Sequence, residues 1–130
     1  MAGRLFLVCL GGALGSGVRY LVGLATIGWL GAGFPYGTLA VNLGGSFLIG
    51  VIQQLAIASL AVSEPTRLFL TVGVMGGLTT YSSFSYETLA LVERGALAAA
   101  ALNVAVTTAG CLALCVLGMA VGRALAGALS

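Results

Sequence analysis

Hydrophobic residues run almost without interruption along the 130-residue chain, in stretches much longer than an amphipathic helix requires. Because a helix needs roughly 20 apolar residues to cross a bilayer, these stretches predict four membrane-spanning helices. We place the four helices at approximately residues 4–24, 37–60, 66–92 and 96–125. The connecting loops are then residues 31–35, 63–65 and 93–95. Since short loops make neighbouring helices antiparallel, the expected fold is one all-α transmembrane domain over residues 1–130.

The amino-acid composition supports a membrane environment. Hydrophobic residues make up 60% of the chain and charged residues 6%, with a mean hydropathy of +1.16, whereas soluble domains carry about 25% charged residues. The net charge of +2 is too small to indicate binding to nucleic acid. The three cysteines lie in apolar stretches without metal-binding spacing, and the chain has no histidine, so we interpret them as packing residues.

The five arginines are distributed almost evenly between the two ends of the predicted helices. Arg4, Arg67 and Arg123 lie on the side of the termini, and Arg19 and Arg94 lie on the other side. A membrane protein takes one orientation only when basic residues clearly favour one side. We therefore expect insertion in both orientations and an antiparallel, dual-topology homodimer.

Glycines recur at helical spacing in the first two predicted helices. Glycine accounts for 21 of the 130 residues, among them Gly11, Gly12, Gly15, Gly44, Gly45 and Gly50. Small residues allow membrane helices to approach each other closely. For most of these glycines we expect close packing and no other role.

Two of the predicted helices each carry a line of polar residues at intervals of four, which places each line on one helix face. The line in the second helix is Thr38, Asn42 and Ser46, and the line in the fourth is Asn103, Thr107, Cys111 and Cys115. Polar groups in hydrocarbon are costly, so each is a candidate for function. Hydrogen bonds between helices would explain a single polar residue, but two lines indicate a hydrated or ion-lined path at least as well.

The third predicted helix contains a signal for a break near residues 76–80. The pair Gly76–Gly77 favours a stop, and Thr79 or Thr80 can cap a new helix. The break lies midway between Arg67 and Arg94, so we expect it near the bilayer midplane, where a broken helix must line a cavity or be buried in protein. Its freed carbonyl groups suit a cation, and the start of the second half-helix suits an anion.

Two aromatic residues and two charged residues complete the candidate site. Tyr81 and Phe84 share a helix face after the break, and their positive ring edges could contact an anion, although spacing alone favours ordinary packing. Glu87 lies one turn further on, where a carboxylate would repel anions unless it is paired. Arg19 is a plausible partner for Glu87, or else an anchor that extends to the membrane surface.

Four segments of the chain resemble the small fluoride channels called Fluc or CrcB proteins. The segments are residues 11–20 (GGALGSGVRY), 37–47 (GTLAVNLGGSF), 73–84 (GVMGGLTTYSSF) and 87–88 (ET). The likeness covers the first three helices by motif and the fourth by position. It implies passive, fluoride-selective export across the cell membrane by an antiparallel homodimer with two pores, each lined by both subunits.

The resemblance also implies roles for individual residues. Asn42 would donate its amide to fluoride, Tyr81 and Phe84 would form the aromatic contacts, and Arg19 would attract anions at the vestibule. Further residues would follow the polar track, namely Thr38, Ser83 and Thr107. A structural sodium ion at the dimer centre would bind the carbonyl groups of Gly76 and Thr79. Thr80, Asn103 and Glu87 are further candidates for contacts with the pore.

The chain departs from the family pattern at three positions. Tyr81 stands where the family usually has phenylalanine, and Asn103 and Cys111 stand where aromatic or hydroxyl residues are expected. Two other classes of protein stay open: a small multidrug transporter, which would need a carboxylate in the first helix, and a membrane scaffold without transport. A membrane protease is less expected still, since the chain has no histidine to act as a general base, and we do not expect an enzyme.

Overall fold

The computed structural model describes residues 1–58 and 62–129, and within them all regular secondary structure is helical, with no β-strand. The elements are α1 (Ala2–Leu30), α2 (Tyr36–Ala58), α3 (Glu64–Leu68), a π-helix (Phe69–Met75), α4 (Gly76–Leu78), α5 (Tyr81–Glu93) and α6 (Leu97–Leu129). The prediction of an all-α protein is confirmed. Three of the described helices, α1, α2 and α6, are long and apolar enough to cross a membrane.

The first helix is six residues longer at its C-terminal end than the predicted limit of residue 24. Residues 25–30 are uncharged and contain no proline, so nothing in the local sequence stops the helix before Gly31. Gly31 adopts a φ of 79°, which is the left-handed region that glycine enters without steric penalty. The predicted end of the second helix, at residues 59–60, lies outside the described residues.

The third predicted helix consists of several pieces. Ser63 caps its start by accepting a hydrogen bond from the backbone N–H of Thr66 at 3.3 Å, so Glu64 and Pro65 belong to the helix and not to the predicted loop. Proline at the start of a helix is favoured, because its missing N–H would have no helical partner there. The helical run continues through the π-helix to Leu78 and ends at Thr79 and Thr80, which are both extended.

Glycines allow α1 to pack directly on the backbone of the π-helix and α4. A Cβ atom at Gly11 would lie 2.6 Å from the Phe69 carbonyl oxygen, and a Cβ atom at Gly15 would overlap the carbonyl oxygen of Val74. Gly77 is equally close to the backbone of α1 at Gly12, so this glycine serves packing and not the helix stop. The helical φ and ψ of Gly76, −62° and −37°, likewise show that the break does not begin at the glycine pair.

The second close pair of helices is α2 with α6, which also meet at glycine. A Cβ atom at Gly118 would overlap the carbonyl oxygen of Phe47 on α2. We expect Gly118→Ala to destabilise the fold by about 1–3 kcal/mol, because backbone must move to accept the methyl group. The measurement is thermal unfolding of the purified protein in detergent.

Gly17→Ala provides the matched control, because Gly17 is also helical and its Cβ atom would have no neighbour within 4 Å. It should leave the melting temperature unchanged or raise it slightly, since alanine favours a helix more than glycine does. Equal melting temperatures for Gly118→Ala and Gly17→Ala would contradict the close packing of α2 and α6.

Candidate functional site

The predicted polar lines of α2 and α6 meet at one groove beside the interrupted helix. The groove has a volume of about 490 Å³. Its lining includes Asn42 and Ser46 from α2, Thr107 and Cys111 from α6, and Gly76, Thr79, Thr80, Tyr81 and Phe84 from the broken segment. Ser46 lies on the polar line that the spacing predicts but is not one of the predicted site residues.

Asn42 fixes the break by two hydrogen bonds to the backbone of one residue. Its Oδ1 atom accepts from the Thr80 backbone N–H at 2.8 Å, and its Nδ2 atom donates to the Thr80 carbonyl oxygen at 3.0 Å. Both residues are buried, so these bonds satisfy backbone groups that have left the helical pattern. Asn42 therefore has a structural role at the break in addition to facing the groove.

The hydroxyl group of Thr80 begins α5. It accepts a hydrogen bond from the Ser83 backbone N–H at 3.2 Å and donates to the Ser83 hydroxyl oxygen at 3.1 Å. In an uninterrupted helix the N–H of Thr80 would donate to the Gly76 carbonyl, and the N–H of Ser83 to the Thr79 carbonyl. Both N–H groups donate to side chains instead. The carbonyl groups of Gly76 and Thr79 are therefore among those that lose their helical partners at the break.

The two aromatic rings form a tilted pair at the edge of the groove. The ring centroids of Tyr81 and Phe84 are 5.4 Å apart and the ring planes differ by 56°. Phe84 is buried, with 6% of its surface exposed, whereas Tyr81 is 80% exposed. Phe84 is therefore held by the subunit itself, while most of the Tyr81 side chain is not covered by the chain.

A separate cavity holds the rest of the predicted polar track. Arg19, Thr38 and Ser83 line it together, and its volume is about 430 Å³. The hydroxyl group of Ser83, which lines this cavity, accepts a hydrogen bond from Thr80, which lines the groove. The structure thus places the predicted pathway residues in two separate depressions, whose walls are joined by the Thr80–Ser83 hydrogen bond.

Glu87 is bound by Thr38 and not by Arg19. The Thr38 hydroxyl donates to Oε1 of Glu87 at 2.9 Å, and the buried Oε2 atom has no hydrogen-bond partner among the described residues. The ion pair found in the described part of the chain joins Arg4 to Glu64 at 3.0 Å. The suggested pairing of Arg19 with Glu87 is therefore wrong for this structure.

Asn103 lies behind the groove wall and does not line the groove. Only 1% of its surface is exposed, and its Nδ2 atom donates to the hydroxyl oxygen of Thr88 at 2.9 Å. Thr107, one turn further along α6, is buried yet lines the groove. Thr88 carries no predicted role beyond its place in the 87–88 segment, although its spacing of four from Phe84 is a signal for the bond between them.

Side-chain ligands for a metal ion are not clustered in the described residues. No group of three or more His, Cys, Asp or Glu side chains could hold a metal there, and Cys9, Cys111 and Cys115 are free. Any cation bound near the break would therefore depend on backbone carbonyl and hydroxyl oxygens, which are the ligands that hard cations prefer.

The structure combines long apolar helices, a polar groove and a helix that is broken inside the fold. These features define a multi-pass membrane protein of the channel and transporter class. Residues 6–119 match the family model described as CrcB-like protein, Camphor Resistance (CrcB). This match spans most of the chain, so the protein belongs to the CrcB family.

Curated relatives of this chain carry the name fluoride-specific ion channel FluC. The protein from Anaeromyxobacter dehalogenans (strain 2CP-1) is 60% identical over 110 residues, which cover 85% of this chain and 87% of the relative. The protein from Agrobacterium fabrum (strain C58) is 48% identical over 117 residues, covering 90% and 94%. The protein from Sorangium cellulosum is 51% identical over 126 residues, covering 94% and 96%.

Proposed function

We propose that this protein is a fluoride-selective ion channel that allows F⁻ to leave the cell passively and so lowers fluoride toxicity in the cytoplasm. The observation that carries the proposal is the groove in which Asn42 and the Tyr81–Phe84 pair meet at the helix break. The names of the curated relatives support the same function.

The groove has the chemistry that a small, strongly hydrated anion requires. A selective pore must replace the water around the ion with donors at close range. Asn42 Nδ2 carries two hydrogens, of which one is donated to Thr80, so the second is available to an ion. The hydroxyl groups of Ser46 and Thr107 and the ring edges of Tyr81 and Phe84 add further positive contacts. Chloride is larger and accepts such bonds less well, so it would be rejected.

The broken segment would supply the fourth membrane crossing. Residues 64–78 and Tyr81–Glu93 together rise about 40 Å at 1.5 Å per residue, compared with about 30 Å for the hydrocarbon core. Thr79 and Thr80 lie at the middle of this segment, which would place the break near the bilayer midplane. Four crossings would put both termini on the same side of the membrane.

The functional unit in this proposal is an antiparallel homodimer. The groove is open to its surroundings, and Tyr81, which lines it, exposes 80% of its surface. A second copy of the chain would close the groove and contribute to both pores. The nearly even distribution of the five arginines is compatible with insertion in both orientations.

A sodium ion at the centre of this dimer would be held by backbone carbonyl oxygens. Gly76 and Thr79 fit this role, because the N–H groups that would pair with their carbonyls donate elsewhere, and both residues line the open groove. When bound, the ion would supply positive charge that offsets the carbonyl dipoles of two subunits meeting at close range.

Removing Na⁺ should weaken the dimer if carbonyls from both subunits share the ion. We expect the monomer fraction to rise when Na⁺ is replaced by N-methylglucamine at constant ionic strength, because the facing carbonyl dipoles then repel each other. The measurement is the monomer–dimer equilibrium of labelled protein in lipid, followed by fluorescence transfer between subunits. A monomer–dimer equilibrium that does not change when sodium is removed would contradict the proposed sodium site.

Growth of fluoride-sensitive bacteria distinguishes the proposed function from the two alternatives. In cells without fluoride exporters of their own, expression of the chain should restore growth on fluoride and should not protect against cationic dyes. A multidrug transporter would give the opposite result, and a scaffold would protect against neither. The described part of α1 carries no carboxylate of the kind a proton-coupled drug exporter needs.

A further inference from the structure

A chain of three hydrogen bonds connects α6 to the backbone of Phe84. The Thr107 hydroxyl donates to Asn103 Oδ1 at 3.4 Å, and Asn103 Nδ2 donates to Thr88 Oγ1 at 2.9 Å. The Thr88 hydroxyl then donates to the Phe84 carbonyl oxygen at 2.7 Å. In each of the three hydrogen bonds the donor is the group nearer Thr107 and the acceptor is the group nearer Phe84. The bonds therefore polarise one another in the same direction.

This series of hydrogen bonds begins and ends at residues that line the groove, and its middle lies behind the groove wall. Thr107 and Phe84 both line the groove, whereas Asn103 has 1% of its surface exposed and does not line it. An amide at that depth is costly unless it is hydrogen-bonded, so Asn103 is held in one position by its two partners. It is therefore poorly placed to contact a permeating ion directly.

The bond from Thr88 to Phe84 joins a side chain to a carbonyl group one turn earlier in the same helix. Such bonds compete with the helical hydrogen bond at that carbonyl and often bend the helix. The element that α5 contacts most is α6, and Asn103 supplies a polar contact between them. An amide in another helix is thus hydrogen-bonded to the side chain that contacts the turn carrying Phe84.

We infer that Asn103 is a positioning residue for Phe84, acting through the hydroxyl group of Thr88. This inference rests on the proposed fluoride channel, in which the ring edge of Phe84 contacts the ion. Asn103 sets the direction of α5 at that turn, and hence the distance between the ring edge and the groove. It does so without touching the ion.

The test compares fluoride efflux from liposomes for the wild type, Asn103→Leu, Thr88→Val and the double variant. Each single substitution removes the bond between Asn103 and Thr88 while keeping the side-chain size similar. We expect each to slow efflux about tenfold, the scale of one lost hydrogen bond at a site of transport. The double variant should match the single variants within a factor of about two, because both changes break the same chain.

Two further variants serve as controls. Thr88→Ser keeps the hydroxyl group and should restore efflux to near the wild-type rate. Thr26→Val applies the same substitution to a threonine in α1 whose hydroxyl donates to the Val22 carbonyl at 2.9 Å, also one turn earlier. Efflux by Thr26→Val should equal that of the wild type.

The efflux curve separates positioning from a general effect on folding. A positioning role lowers the rate constant of release from liposomes that contain a channel, whereas a folding defect lowers the fraction of liposomes that release fluoride at all. If Asn103→Leu proves unstable, wild type against Thr88→Val decides the matter, because valine replaces only the hydroxyl group by a methyl group. Thr88→Ser keeps the hydroxyl group and removes the methyl group, so it reports the effect of the methyl group alone.

The outcomes distinguish failure of the inference from failure of the proposed function. A wild-type protein that releases no fluoride would overturn the channel itself. Wild-type efflux with an equal rate constant in Thr88→Val would overturn the inference alone. So would a double variant about a hundredfold slower than wild type, because multiplied effects mean that the two residues act separately.

Discussion

Replacing Phe84 by isoleucine should abolish fluoride flux while leaving the protein folded. Phe84 is 6% exposed and its ring lies 5.4 Å from that of Tyr81 at the edge of the groove. Isoleucine keeps the apolar volume near that of the ring but has no positive ring edge to offer an anion. We expect efflux from liposomes to fall to the level of protein-free vesicles.

Phe6→Ile is the matched control for this substitution. Phe6 lies in α1 with 67% of its surface exposed, away from the groove, so the change should have no effect on flux. Size-exclusion profiles of both variants establish that they are folded. Undiminished flux through folded Phe84→Ile protein would show that the ring edge is not needed for conduction.

Replacing Asn42 by aspartate should also stop conduction, for two reasons that the structure makes explicit. Asn42 Nδ2 donates to the Thr80 carbonyl at 3.0 Å, and an ionised aspartate would place a second oxygen against that carbonyl. The same substitution adds a negative charge at a buried position that faces the groove, where it would repel an anion.

Asn42→Ala separates the two effects in the same efflux measurement. It removes both bonds to Thr80 without adding charge, leaving buried backbone groups unsatisfied at a cost of about 1–3 kcal/mol each. We therefore expect weakened sodium-dependent association and reduced flux in the alanine variant, and no flux in the aspartate variant. Wild-type conduction by Asn42→Asp would mean that the ion does not pass this residue.

The all-α class and the three long apolar helices among the described residues could be predicted from the sequence, because they follow from hydrophobic length. The ends of helices were predicted less accurately where the sequence has no clear stop signal. Helix α1 continues to Leu30, beyond the predicted residue 24, because its apolar sequence contains no stop before Gly31. The break occurs at Thr79 and Thr80, after the glycine pair that predicted it, because a side chain from α2 takes the Thr80 backbone N–H. That bond joins residues 38 positions apart and has no local signature.

In the candidate site, too, the sequence pattern predicts which residues are polar and share a helix face, but not which residues they contact in other helices. Spacing alone placed Asn42 and Thr107 on polar faces, and the structure brings both to one groove with Phe84. Spacing does not predict which side chains form hydrogen bonds with each other. Glu87 accepts a hydrogen bond from Thr38 and is not paired with Arg19, the partner suggested for it. Thr88 belongs to the 87–88 segment of the family resemblance, but its role depends on Asn103 in another helix, which spacing does not reveal.

Fluoride efflux from liposomes containing only the purified protein tests the central claim most directly. With potassium fluoride inside and valinomycin to balance charge, a fluoride electrode should record rapid release on adding the ionophore. The same vesicles loaded with potassium chloride should release little chloride to a chloride electrode. No fluoride release above that of protein-free vesicles, or equal release of both ions, would contradict a fluoride-selective channel.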